Sequence, residues 1–171
     1  MSLPPARNPP PHGFGTYGFG AFNAARIALT VPLEVAWPVL FDRAAWIPGF
    51  AGKALVDGPE DGVGERALYS SRDAAGQVHT RLEEILELVP QCRLVLRLAL
   101  ADDSATTAFA DWRLFPATEG CALELNLFWL DLPETGTDWP AVQAQRATYI
   151  AATQAVIDGH LMRLREVLAR R

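Results

Sequence analysis

The stretch from Trp139 to Ala169 constrains the fold more than any other part of the chain. Beyond Pro140, which the first helical turn tolerates, it has no proline and only one glycine, Gly159. Ile150, Ile157, Leu161, Leu164 and Leu168 form one apolar stripe at helical spacing, and Tyr149, Val156, His160 and Val167 form another beside it. Thr137 or Asp138 caps the start, and Arg163, Arg165, Arg170 and Arg171 place positive charge at the negative end of the helix dipole. A helix of this length must bury its stripe against something. From Gly52 to Leu132 the chain reads as strands, so the expected fold is α+β: a curved antiparallel sheet wrapped around one long C-terminal helix. Such a geometry leaves a cavity.

The strands follow from alternation and turn signals. Ala24 to Val31 alternates and stops at Pro32; Leu33 to Asp42 then gives a short amphipathic helix, and Trp46 to Phe50 an apolar turn. Strands are expected over Ala54 to Asp57 and Gly64 to Asp73. A hairpin turning at Ala75 and Gly76 places Ala67, Tyr69 and Ser71 on one face with Thr80, Leu82 and Glu84. Arg66, Ser70, Arg72, His79, Arg81 and Glu83 then fall on the solvated face. Beyond a turn at Pro90 and Gln91, Leu94, Leu96, Leu98 and Leu100 point inward. In the last pair Ala108, Ala110, Trp112 and Leu114 face Leu123, Leu125, Leu127 and Trp129.

Composition narrows the function. A chain of 171 residues, half of them hydrophobic, suits one domain with a sizeable core. A net charge of -5 argues against nucleic acid, and no apolar run reaches the roughly 20 residues of a membrane span. With no signal-peptide core at the start, the chain reads as cytoplasmic. Cys92 and Cys121 are expected on strands that are not neighbours, reduced and packed. Residues 1–23 form an arm rich in proline, glycine and aromatics ahead of a domain over 24–171. Phe14, Tyr17 and Phe19 suit an arm lying on the domain or on a second subunit, as in a homodimer.

The segment Val31-Pro-Leu-Glu-Val-Ala-Trp-Pro-Val-Leu-Phe-Asp42, then Trp46 with Pro48-Gly-Phe50, then Val63-Gly-Glu-Arg66, resembles the opening of the START-like, or SRPBCC (Bet v 1-like), superfamily. Glu84-Ile-Leu-Glu-Leu-Val-Pro90 before Arg93-Leu-Val and Trp112-Arg-Leu-Phe-Pro116 before Gly120-Cys resemble its central strands, closest to the polyketide cyclase and lipid-transport branch. The resemblance implies a helix-grip fold with a cavity for a hydrophobic ligand such as a lipid, quinone or polyketide. It implies no universal catalytic residue, so function has to be argued from the site.

Neither a phosphate loop, a nucleophile elbow nor a metal-binding His-Glu-x-x-His is present, and His12, His79 and His160 lie on different elements. No metal and no cofactor are expected. The small inward residues Ala67, Ala108 and Ala110 leave room beside Trp112. The candidate ligand-binding side chains are Ala67, Tyr69, Ser71, Thr80, Glu84, Leu98, Ala110 and Trp112 from the sheet, with Thr153 and His160 from the helix. Glu84, read as inward between Leu82 and Leu86, is the candidate catalytic group, because a desolvated carboxylate there would serve a cyclase or dehydratase without metal. Binding or transport of a small hydrophobic molecule is the preferred reading, such an enzyme is the alternative, and an assembly module using the arm is a third.

Overall fold

The computed structural model describes residues 19–100, 107–132 and 138–171. The expected arm contacts of Phe14 and Tyr17, and the side chain of Phe19, lie outside the described residues.

The first strand, β1 (Phe19–Leu29), begins ahead of the expected domain boundary. Two short helices follow where one was expected, α1 (Leu33–Val39) and α2 (Arg43–Trp46). Pro32 caps α1 in an extended conformation, Pro38 sits inside it, and the chain turns through Asp42 before helix resumes. The remaining strands are β2 (Phe50–Asp57), β3 (Arg66–Arg72), β4 (Val78–Val89), β5 (Arg93–Leu100), β6 (Thr107–Ala117) and β7 (Gly120–Leu132). The chain closes with α3 (Trp139–Leu168). All seven strands join one antiparallel sheet in the order β1-β7-β6-β5-β4-β3-β2, curved around α3 and not closed on itself. This is the expected helix-grip α+β fold. Among the described residues no helix is long and apolar enough to cross a membrane.

The register of the last hairpin agrees with the alternation: Ala110 lies opposite Leu127, Trp112 opposite Leu125 and Leu114 opposite Leu123. Leu94 and Leu96 are buried beside them. The β3–β4 hairpin does not agree. Its loop is Ala74–Gly76, closed by Gly76 N–H donating to the Asp73 carbonyl and Asp73 N–H donating to that of Gln77. Asp73 Oδ1 accepts from the N–H groups of Ala75 and Gln77, and Gly76 takes φ +81°, a conformation that favours glycine. Ala67 therefore pairs with Glu83 and Tyr69 with Arg81, one residue away from the two-residue turn read from sequence. That single step reverses every side chain of β4's first half. Glu83 and Arg81 point in; Glu84, Leu82 and Thr80 point out. An irregularity between Ile85 and Glu87 then keeps both Ile85 and Leu88 against the core.

Asp138 rather than Thr137 is the N-cap of α3, accepting from the Ala141 N–H at 2.9 Å. Val142, Ile157, Leu161, Leu164 and Leu168 are its buried residues, whereas Val156, expected in the buried stripe, is 56% exposed. The helix packs on β1, α1 and α2 rather than squarely on the middle of the sheet. Its attachment to β1 is polar: Asn23 Nδ2 donates to the Ile150 carbonyl (2.9 Å) and to Gln154 Oε1 (3.0 Å), and Gln154 Nε2 donates to the Ala24 carbonyl (3.2 Å). Cys92 was expected on a strand and packed; it lies in the β4–β5 turn and is exposed. Cys121 is buried in β7, and both thiols are free.

Replacing Asn23 by Ala removes the donor from a buried site. The variant should lose about 1–3 kcal/mol of stability, read from urea denaturation, with the secondary structure unchanged.

Candidate functional site

Because α3 rests on one edge of the sheet, the concave face below its middle is not filled. A cavity of about 270 Å³ lies there, at the small end of ordinary ligand clefts. Its floor is apolar: Leu96 and Leu98 from β5, Ala110 and Trp112 from β6, Leu125, Leu127 and Trp129 from β7. Thr153, Val156, Ile157 and His160 of α3 form the roof, and the exposed Val156 marks the mouth. At Ala110 a larger side chain would take up the space, which is how the small residue makes room.

One end of the cavity is charged. Arg43 and Trp46 of α2 meet Arg81 and Glu83 of β4 there. Glu83 is only 4% and Arg43 only 5% exposed, and each Glu83 oxygen holds one arginine. Arg81 Nε donates to Oε1 at 2.7 Å, and Arg43 Nη2 to Oε2 at 3.2 Å. Burial alone would raise the Glu83 carboxyl pKa, but the Arg43 and Arg81 charges outweigh it and hold the group below the usual carboxylate range. Spacing of one helical turn places Arg43 on the same side of α2 as Trp46, so its guanidinium lies 5.1 Å from that ring and 5.7 Å from the Tyr69 ring. Trp46 donates its indole N–H to the Val39 carbonyl and stands edge-on to Trp112 (5.7 Å) and His160 (6.0 Å). Desolvation, reinforced by Arg81 and Arg43, depresses the His160 pKa to about 4, so the imidazole is neutral near pH 7. Among the described residues no group of three His, Cys, Asp or Glu side chains comes together that could hold a metal ion.

Of the residues singled out from sequence, Leu98, Ala110, Trp112, Thr153 and His160 line this cavity. Ala67 and Tyr69 are buried on the same concave face but behind the arginine cluster, where Tyr69 OH meets Glu65. Ser71 lies near the hairpin end, opposite His79. Thr80 and Glu84 belong to the outer face: Thr80 Oγ1 pairs with Ser70 Oγ at 3.0 Å, and Glu84 Oε2 lies 3.1 Å from Arg97 Nη2. Glu84 cannot act in the cavity, and its place is taken by Glu83, which the sequence reading put in solvent. The signal that would have found it is the Asp73-x-x-Gly76 spacing, which favours a three-residue loop over a two-residue one. Arg43 carried no signal beyond its spacing from Trp46.

No protein-family model matches the chain, and no curated protein does. Solved structures match along nearly its whole length at low identity. A protein of unknown function, SA2116 from Staphylococcus aureus, has a TM-score of 0.74 at 9% identity, over 89% of this chain and 95% of that one. The di-domain ARO/CYC StfQ from the steffimycin biosynthetic pathway has 0.71 at 16%, over 89% of this chain and 51% of that one. Ara h 8.0201 has 0.63 at 10%, over 90% of this chain and 100% of that one.

Two consequences are measurable. Removing the Glu83 side chain as Glu83→Ala leaves Arg43 buried with no carboxylate, and should cost about 3–5 kcal/mol in chemical denaturation. His160 binds its proton less readily folded (about 4) than unfolded (6.5), so the unfolded state takes up more protons between those values. Stability should therefore fall as pH drops from 6.5 to 4, by up to about 3 kcal/mol, and denaturation of His160→Gln should show a flatter profile across that window.

Proposed function

We propose that this chain, which has the START-like (Bet v 1-like) helix-grip fold, binds a small, mainly apolar molecule between the sheet and α3. The observation that carries this reading is the cavity itself: about 270 Å³, walled mainly by leucines, tryptophans and alanines, with its charged groups gathered at one end. Recognition there is by shape, with orientation set by a few polar groups. Thr153, Leu98, Ala110, Trp112 and His160 are its contact residues, joined by Trp129 and by the Arg43, Arg81 and Glu83 cluster. The binding unit is the single domain that follows the arm. Its free thiols suit a reducing, cytoplasmic setting.

A cyclase or dehydratase reading draws on one observation, the neutral His160 imidazole facing the apolar space, which can accept a proton there but, with its pKa depressed to about 4, only as a weak base. Glu83 does not serve as the acid in that scheme, because two arginines hold it ionised.

The cavity reading is tested with the neutral fluorescent probe N-phenyl-1-naphthylamine. Wild type should give a saturable fluorescence rise. Ala110→Phe, which fills the floor at an overpacking cost of about 1–3 kcal/mol, should bind at least about tenfold more weakly with unchanged far-UV circular dichroism. Equal binding by both proteins would place the probe elsewhere and remove the cavity from the function.

A further inference from the structure

We infer that the ligand is a small monocarboxylic acid with an apolar body, its carboxylate seated on the Arg43 and Arg81 guanidiniums at the β4 end of the cavity. This rests on the reading that the cavity binds a small apolar molecule, and adds the chemistry of that molecule's polar end.

Charge is the first observation. The cavity wall carries two guanidiniums against one carboxylate, and His160 is neutral, so one positive charge is in excess inside a mostly apolar space. Glu83 has already committed one oxygen to each arginine. Unmet hydrogen bonds are the second. Arg43 Nε is buried with no acceptor, in a side chain only 5% exposed, and the Trp129 indole N–H on the opposite wall is buried with no acceptor too. Among the described residues both unpartnered side-chain atoms on the wall are donors, and no wall side chain offers a buried acceptor in need of a proton. A buried donor left unsatisfied costs about 1–3 kcal/mol, and a net buried charge costs more.

An occupant that relieves both costs must bring acceptor oxygens and negative charge. A hydrocarbon brings neither, and an alcohol brings an acceptor without charge. The guanidinium fork suits carboxylate and phosphate alike, but a single excess positive charge balances a carboxylate and would leave a phosphate dianion with charge uncompensated. Arg43 is bonded to Glu83, which opens the cross-strand row Glu83–Leu98–Ala108–Trp129, so the Trp129 N–H lies three strand spacings, roughly 14 Å, from the charged end, and one carboxylate meets the Arg43 donor and not that of Trp129. The carboxylate end therefore sits beside Glu83 and the apolar body runs over Leu98 and Ala110 toward Trp129.

Calorimetric titration of the full chain at pH 7.5 with octanoic acid, 1-octanol and methyl octanoate, at low and high salt, tests this. Octanoic acid should bind at least about tenfold tighter than the other two, the worth of one charge-assisted hydrogen bond, with the advantage shrinking as salt rises. Arg81→Gln, at a half-buried position, should lose most of that advantage while still binding the alcohol. Arg43→Gln should lose it further, and if that variant does not fold, the wild-type series and Arg81→Gln decide alone. Equal binding of acid, alcohol and ester overturns the inference and leaves the cavity reading standing. An acid preference untouched in Arg81→Gln places the carboxylate elsewhere and overturns it. Failure of all three ligands to bind removes the cavity reading for molecules of this size, and the inference falls with it.

Discussion

The buried carboxylate of Glu83 is the point on which the short helices, the sheet and the cavity depend together. Its place inside follows from a local cause, the Asp73 cap and the left-handed Gly76 that set the β3–β4 register. Once inside, a carboxylate needs cations, since an unpaired charge in an apolar wall costs several kcal/mol. Arg81 supplies one from the same strand, two residues back. Arg43 supplies the other from α2 at the same end of the cavity, braced by the Trp46 and Tyr69 rings. Holding Arg43 in place fixes α2 against the sheet, and fixing α2 places Trp46 against Trp112 and His160. One turn in a distant hairpin thus sets the chemistry of the cavity's polar end.

Legibility from sequence divides along the same line. The long helix, the strand count and the inward faces of β5, β6 and β7 were readable, because leucine and alanine alternation there runs unbroken and one face is plainly apolar. Leu98, Ala110, Trp112, Thr153 and His160 came from those elements and lie on the cavity wall. β4 was misread because its faces are ambiguous: Arg81, Leu82, Glu83 and Glu84 put charge on both sides, so hydrophobicity could not choose the register and turn chemistry had to. Val156 was misread for a different reason. Periodicity reports which side of a helix is apolar, but not whether a partner covers it, and here the partner is a cavity mouth.

The distribution of burial along α3 has a dynamic consequence. Its C-terminal half is pinned by Ile157, Leu161, Leu164 and Leu168, whereas no residue between Val142 and Ile157 is buried. That middle span is attached to β1 by the Asn23 and Gln154 hydrogen bonds and by Tyr149 and Ile150 packing near Ala21 and Trp129. A span with few buried apolar contacts has lower local stability than the half of the helix that is packed into the core. The cavity roof at Thr153 and Val156 thus belongs to the span of α3 that buries no side chain, whereas the charged end of the cavity adjoins the pinned half through His160 and Trp46.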